Sequence, residues 1–196
     1  LSVSPYYNRP TQAGLIAHYK AIAAAVELPI FVYNVPGRTA SNVRPETLVA
    51  LAGDVENIVG VKEASGNLEQ VMEVISRCPN DFILLSGDDA LTLPILTLGG
   101  DGVISVVANE APRLMSDMVR AGLAGDLERA RELHYRLLPV MQANFIETNP
   151  MPAKTALEMM GIMPAHFRLP LVHMREDRAN ALRAALEATG LLTPLI

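Results

Sequence analysis

Short apolar runs alternate with amphipathic segments over residues 1–125 of the chain. Runs rich in Val, Ile and Phe predict strands that are covered on both faces. Segments whose apolar positions recur every three or four residues predict helices. The predicted strands are residues 28–35, 57–62, 81–86 and 102–107, with residues 1–4 as the end of a fifth. The predicted helices between them are residues 12–26, 45–51, 68–77, 90–98 and 112–124.

Regular alternation of strand and helix predicts a parallel sheet with helical crossovers, in an open sheet or a closed barrel. Polar groups follow the predicted strands at Tyr33-Asn34, Lys62-Glu63, 86–89 and Asn109. We favour an α/β fold of the (β/α)8 TIM-barrel type, because such barrels carry their sites at the carboxyl ends of the strands. Five of the eight strands are present, so about three βα units are expected upstream of Leu1.

The strand pattern stops after Asn109, and the rest of the chain reads as helical. The predicted helices there are residues 126–144, 151–160 and 175–189, the first opening at an Asp suited to N-capping. Residues 1–125 are therefore predicted to form the C-terminal part of the barrel. Residues 126–196 are predicted to form a C-terminal helical region.

Composition excludes several classes of protein. A net charge of -5 provides no basic face, which argues against nucleic acid as a partner. One cysteine, Cys78, cannot form an internal disulfide, and without a long apolar span or signal peptide we expect a cytoplasmic protein with no membrane partner. The four histidines lack metal-ligand spacing, so neither a metal nor a cofactor is expected.

Lys62 closes the apolar run 58–61, so its amine is expected at the mouth of the sheet with an apolar stem behind it. Burial there disfavours the ammonium form, and the neutral amine is a nucleophile that condenses with ketones. Alternation along a strand directs Glu63 to the opposite face, away from Lys62. The alternative is a surface lysine neutralised by Glu63.

Tyr33 and Arg38 follow another apolar strand, with a bend predicted at Pro36-Gly37. A phenol there would relay protons, and a guanidinium would bind a carboxylate through two hydrogen bonds. The alternatives are a core aromatic for Tyr33 and a solvated loop charge for Arg38. Their shared location with Lys62 favours the site.

The pair Asp88-Asp89 presents two carboxylates, which are ligands for hard cations. No third ligand at a suitable spacing supports a metal site. We favour the interpretation in which Gly87 permits close backbone approach and one of the two carboxylates caps the next helix.

Six short motifs occur along the chain: PYYN at 5–8, YNVPGRT at 33–39, GVKEA at 60–64, SGDD at 86–89, GVIS at 102–105 and NPMPAK at 149–154. In order and spacing, over residues 1–192, they resemble the dihydrodipicolinate synthase and N-acetylneuraminate lyase superfamily. The resemblance implies a (β/α)8 lyase that forms a Schiff base with pyruvate.

The resemblance also implies roles for individual residues. Lys62 would form an iminium with pyruvate, which loses a methyl proton to give an enamine that attacks an aldehyde, while Tyr33 shuttles protons. The backbone carbonyls of Gly87 and Ile104 would lie near the adduct. Tyr7 would reach into the site of a neighbouring subunit, which implies an oligomer, expected to be a homotetramer.

Some members of the superfamily carry an arginine at the position of Arg38, and that arginine binds the carboxylate of L-aspartate 4-semialdehyde. Arg38 resembles it. The implied product is 4-hydroxy-tetrahydrodipicolinate, on the route to diaminopimelate and lysine. The family's Gly-Thr-Thr-Gly-Glu segment, which binds the pyruvate carboxylate, is not among these 196 residues and is expected upstream. The alternatives are another pyruvate-dependent aldolase of the superfamily and a catalytically silent fragment.

Overall fold

A parallel sheet organises the first part of the chain, in a computed structural model that describes residues 1–193. Within that range five strands lie in the order β1-β2-β3-β4-β5, and each pairs with the next in parallel. The strands are β1 (Ser2–Val3), β2 (Ile30–Asn34), β3 (Ile58–Glu63), β4 (Ile83–Ser86) and β5 (Gly102–Val103). The predicted parallel sheet with helical crossovers is confirmed.

Helices connect the strands in the predicted order. They are α1 (Gln12–Ala24), α2 (Pro36–Thr39), α3 (Pro45–Asp54), α4 (Leu68–Arg77), α5 (Thr92–Thr97), α6 (Pro112–Leu123), α7 (Leu127–Ala143), α8 (Met151–Met159) and α9 (Glu176–Thr189). No helix of this described range is both long and apolar enough to cross a membrane.

One local prediction was wrong, and a second was right in its place and is made more specific by the structure. The strand predicted at 102–107 ends at Val103, and a 3-10 helix follows at Val107–Asn109. The Ser105 hydroxyl accepts a hydrogen bond from the Ala108 N–H (2.9 Å), which turns the backbone into that helix. The bend predicted at Pro36-Gly37 is the single helical turn α2, which starts at proline because proline lacks the N–H that a first turn leaves unused.

The chain separates into two compact units, Leu1–Ile104 and a second that begins at Ser105. In the second unit, α7 packs against α6 and α9 through buried apolar side chains, including Met118, Leu137 and Leu182. The predicted division between a barrel part (1–125) and a helical region (126–196) stays a prediction, and residues 194–196 lie outside the described residues.

Helices α1, α3 and α4 provide the core of the first unit. Leu15, Leu48 and Val74 are fully buried with the strand residues Val32 and Val61, and they belong to one apolar cluster. Alternation turns the neighbouring strand residues to the opposite face of the sheet, which is only partly buried. The candidate catalytic side chains of Tyr33 and Lys62 lie on that second face.

Glycine at position 60 is required where β3 passes β4. A Cβ atom there would overlap with the Ile83 carbonyl oxygen and would lie 2.6 Å from Cε1 of Phe31. The close approach coincides with a register shift between β2 and β3 at Ile30 and Phe31. Beyond this shift the pairs run regularly, with Tyr33 beside Lys62 and Asn34 beside Glu63.

Asn67 caps α4, and its loss gives a testable stability change. Its side-chain oxygen accepts hydrogen bonds from the N–H groups of Glu69 (3.0 Å) and Gln70 (3.2 Å). We expect Asn67→Ala to lower the free energy of unfolding by about 1 kcal/mol, because those donors lose their partner. Urea denaturation monitored by circular dichroism measures this change.

Asn67→Asp is the matched control, since an aspartate at this position accepts the same hydrogen bonds. It should keep the unfolding midpoint of the unmodified protein. Equal midpoints for the alanine and aspartate variants would show that the cap does not stabilise α4.

Candidate active site

Lys62 and Tyr33 lie side by side at the carboxyl ends of β3 and β2. The two residues are register partners, and the Lys62 Nζ atom lies 4.2 Å from the centre of the Tyr33 ring. Both side chains are half-buried. The predicted proximity of amine and phenol is confirmed.

Burial sets the protonation of both groups. It lowers the pKa of the Lys62 amine, and the Arg38 guanidinium lowers it further, whereas the Asp89 carboxylate opposes the change. Burial raises the pKa of the Tyr33 phenol, and Arg38 partly opposes that shift. A lower pKa enlarges the neutral, nucleophilic fraction of Lys62 at a given pH, and a raised pKa keeps Tyr33 protonated as a donor.

Gly87 lies against the stem of Lys62. A Cβ atom at Gly87 would be 3.1 Å from both Cγ and Cε of Lys62, and 2.7 Å from the Cβ of Ala64. The Gly87 N–H donates to the Glu63 carbonyl oxygen (2.7 Å), so the ladder between β3 and β4 continues past the strand end. The predicted close backbone approach at this glycine is confirmed.

The segment after β4 is organised by its own hydrogen bonds. The Ser86 hydroxyl donates to the Asp88 carbonyl oxygen (2.7 Å), and Asp88 Oδ1 accepts from the Ala90 N–H (2.9 Å). Asp88 thus fixes the turn before α5 instead of capping that helix, whose N-cap is Leu91. Asp89 is almost fully buried, and its charge acts on Lys62.

Arg38 stands exposed on α2, within electrostatic range of both Tyr33 and Lys62. The turn is held by the buried Thr39, whose hydroxyl donates to the carbonyl oxygens of Val35 (3.1 Å) and Ser41 (3.0 Å). The guanidinium is therefore exposed on a hydrogen-bonded turn that lies close enough to Lys62 for its charge to act on the amine.

Ile104 and Tyr7 complete the set of predicted residues. The Ile104 N–H donates to the Ser86 carbonyl oxygen (2.9 Å), which places Ile104 beside the end of β4. Tyr7 lies in the loop after β1, where it has a positive φ of 56° and is 92% exposed. The structure thus gathers Lys62, Tyr33 and Gly87 closely, while the Tyr7 ring points into solvent.

A buried polar cluster, which the sequence did not reveal, lies on the opposite side of the same strand ends. It consists of Asn34, Asn42, Glu63 and Gln70, joined by side-chain hydrogen bonds of 2.9–3.3 Å. Asn34 and Glu63 directly follow Tyr33 and Lys62 in the chain. A polar residue at a strand position that alternation assigns to the core is the signal that identifies this cluster.

Across residues 1–193, no three His, Cys, Asp or Glu side chains converge in a way that would hold a metal ion.

Comparison with known proteins identifies the family. The model of the dihydrodipicolinate synthetase family matches residues 1–189. Relatives named 4-hydroxy-tetrahydrodipicolinate synthase include that of Maridesulfovibrio salexigens, 53% identical over 98% of this chain, and that of Methanopyrus kandleri, 56% identical over 98%. The chain spans 66% and 64% of the lengths of these two relatives.

Solved structures agree. The dihydrodipicolinate synthase of Thermotoga maritima superposes with a TM-score of 0.95 at 48% identity, over 97% of this chain and 65% of that one. The enzyme of Aquifex aeolicus gives 0.94 at 46% identity, over 96% and 64%. These matches confirm the predicted fold class, which is the C-terminal five strands of a (β/α)8 barrel followed by helices. They also confirm the family resemblance. The chain belongs to the dihydrodipicolinate synthetase family.

Proposed function

We propose that the protein containing this chain is a lyase that condenses pyruvate with L-aspartate 4-semialdehyde to give 4-hydroxy-tetrahydrodipicolinate. The observation that supports this most directly is the half-buried Lys62 amine, 4.2 Å from the Tyr33 ring centre and with a lowered pKa. Relatives that carry the synthase name, with identities above 50%, support the choice of substrates.

Lys62 begins the reaction as the nucleophile. The neutral amine attacks the C2 carbonyl of pyruvate, and loss of water leaves an iminium that links Nζ to C2. Tyr33 serves as the proton donor and acceptor in this step, because its raised pKa keeps the phenol protonated beside the amine. The iminium then withdraws electrons and allows the methyl carbon to lose a proton, which gives an enamine.

The enamine carbon attacks the aldehyde carbon of the second substrate. Arg38 is assigned the carboxylate of that substrate, since a guanidinium binds a carboxylate through two parallel hydrogen bonds. The amino group of the substrate then displaces Lys62 from C2, which closes the ring and releases the free amine. Backbone carbonyls of Gly87 and Ile104 are assigned positions beside the pyruvate adduct.

The oligomeric and cellular context belongs to the same proposal. Tyr7 is assigned a place in the site of a neighbouring subunit, as the family resemblance implies, and its 92% exposure leaves the side chain accessible to such a partner. We propose a homotetramer in the cytoplasm, without nucleic-acid or membrane partners.

Borohydride trapping tests the Schiff base. Incubation of the full-length protein with pyruvate and sodium borohydride should add one reduced pyruvyl group to the Lys62 peptide, because reduction makes the iminium a stable secondary amine. Peptide mapping by mass spectrometry locates the adduct. Lys20 and Lys154 are internal controls, since their amines contact Asp54 (2.7 Å) and the His166 carbonyl oxygen (2.6 Å).

Equal labelling of all three lysines, or none at Lys62, would contradict the proposed chemistry. The aldehyde is tested separately by comparing L-aspartate 4-semialdehyde with an aldehyde of the same length that lacks the carboxylate. A clear preference for the first supports recognition of the substrate carboxylate, the role proposed for Arg38. Equal rates would favour another pyruvate-dependent aldolase of the family.

A further inference from the structure

Glu63 is almost completely buried, with 1% of its surface exposed, on the face of β3 opposite Lys62. Its Oε2 atom accepts hydrogen bonds from the side-chain amides of Asn34 (3.0 Å) and Gln70 (3.2 Å). Its Oε1 atom accepts from the backbone N–H of Ser65 (2.6 Å). A buried carboxylate is stable only when hydrogen bonds replace its water, so these three donors account for its presence.

The cluster ties together elements that are distant in sequence. Asn34 ends β2, Glu63 ends β3, and Gln70 lies in the first turn of α4. Asn42 links them, because its Oδ1 accepts from Asn34 (2.9 Å) and its Nδ2 donates to Gln70 (2.9 Å). Asn34 Oδ1 in turn accepts from the Val43 N–H (2.9 Å), so the loop after α2 joins the same network.

The geometry of the two strands connects this cluster to the active site. Asn34 and Glu63 are register partners, as are Tyr33 and Lys62 one residue earlier. A shift of either strand end at the cluster therefore moves the phenol relative to the amine. We propose that Glu63 is a positioning residue that holds the ends of β2 and β3 so that Tyr33 stays against Lys62. The kinetic part of this inference rests on the proposed function.

The main test compares Glu63→Gln with a control at the other end of the same strand. The amide replaces one carboxylate oxygen by an NH2 donor, so the cluster keeps one acceptor atom for three donors and a donor faces a donor at the other. We expect kcat to fall about 10- to 100-fold, since small misplacements at a reacting centre cost that much. The KM for pyruvate should change far less. Asn57→Ala is the control, because Asn57 bonds Ala23 (3.1 Å) and Val26 (2.9 Å) away from the site.

A second readout needs no substrate and separates positioning from charge. Trace acetylation with acetic anhydride across a pH series, followed by mass spectrometry of the Lys62 peptide, reports when the amine becomes neutral. A loosened strand end exposes Lys62 to water, so its apparent pKa should rise in Glu63→Gln. The loss of a nearby negative charge alone would lower it. The charges of Asp89 and Arg38, the two that act on Lys62 among the described residues, are unchanged in the variant.

The outcomes are distinct. The proposal is supported if Glu63→Gln raises the apparent pKa of Lys62 in the labelling experiment and reduces kcat, while Asn57→Ala does neither. Equal behaviour of the two variants at equal melting temperature, or a lowered labelling pKa, overturns it. If Glu63→Gln does not fold, Gln70→Met, which removes one donor and keeps the carboxylate, decides the question by the same readouts. If pyruvate never traps on Lys62 in the unmodified protein, the proposed function fails while the labelling result still tests Glu63.

Discussion

Lys62→Arg is expected to lower the condensation rate at least about 1,000-fold, because the proposed function makes Lys62 the nucleophile that forms the covalent intermediate. Arginine keeps the positive charge and much of the length of the side chain. Its guanidinium stays protonated in proteins and does not form an iminium with a ketone. Steady-state rates with both substrates, and borohydride trapping with pyruvate alone, measure the loss.

The control for this variant is Lys154→Arg. Lys154 is the other partly buried lysine, and it donates to a backbone carbonyl oxygen in the second unit, where arginine supplies an equivalent donor. Its rate should match that of the unmodified protein. Retention of substantial activity in Lys62→Arg, in protein with unchanged circular dichroism, would move the nucleophile to another residue.

Gly87→Ala is expected to reduce activity about 100-fold, because the new methyl group meets the side chain of Lys62, the proposed nucleophile. The added Cβ would lie 3.1 Å from Cγ and Cε of Lys62 and 2.7 Å from the Cβ of Ala64, so at least one of these groups must move. Overpacking of this kind lowers the free energy of unfolding by about 1–3 kcal/mol. Kinetics and urea denaturation measure the two effects separately.

Two further variants separate packing from catalysis at Gly87. In Ala64→Gly/Gly87→Ala the 2.7 Å contact is removed and the contact with Lys62 remains, so stability should recover more than activity. Gly53→Ala is the control for glycine replacement as such, because nothing lies within 4 Å of the added Cβ in α3. It should leave activity unchanged and stability equal or slightly higher. Full recovery of activity in the double variant would show that Gly87 acts on Ala64 alone.

The sequence predicted the order of strands and helices well, because the spacing of apolar residues along the chain differs between a buried strand and an amphipathic helix. It also predicted that Lys62 and Glu63 would face opposite sides of β3, which follows from the two-residue period of a strand. The end of β5 was predicted too late, since apolarity at 104–107 does not show where ladder pairing stops. One hydroxyl, that of Ser105, diverts the backbone there.

The buried cluster was missed because its members meet only in three dimensions. Asn42 and Gln70 are 28 residues apart, and neither has a local pattern that marks it as a partner of Glu63. The action of the buried Asp89 on Lys62 likewise depends on how β4 lies beside β3. Local turn chemistry and strand period are visible in a single sequence, whereas the choice of partners across the fold is not.

The one-residue offset between the cluster and the site limits how this chemistry can be transferred. If a Schiff-base lysine were placed alone on another strand, the arrangement that positions it would be left behind. The adjacent carboxylate also needs hydrogen-bond donors on the far side of the sheet. On this proposal, the smallest transferable unit is two consecutive residues on each of two strands, together with the side-chain amides of Asn42 and Gln70. A single-residue insertion in β3 near Lys62 would bring the carboxylate to the reacting face and the amine into the core.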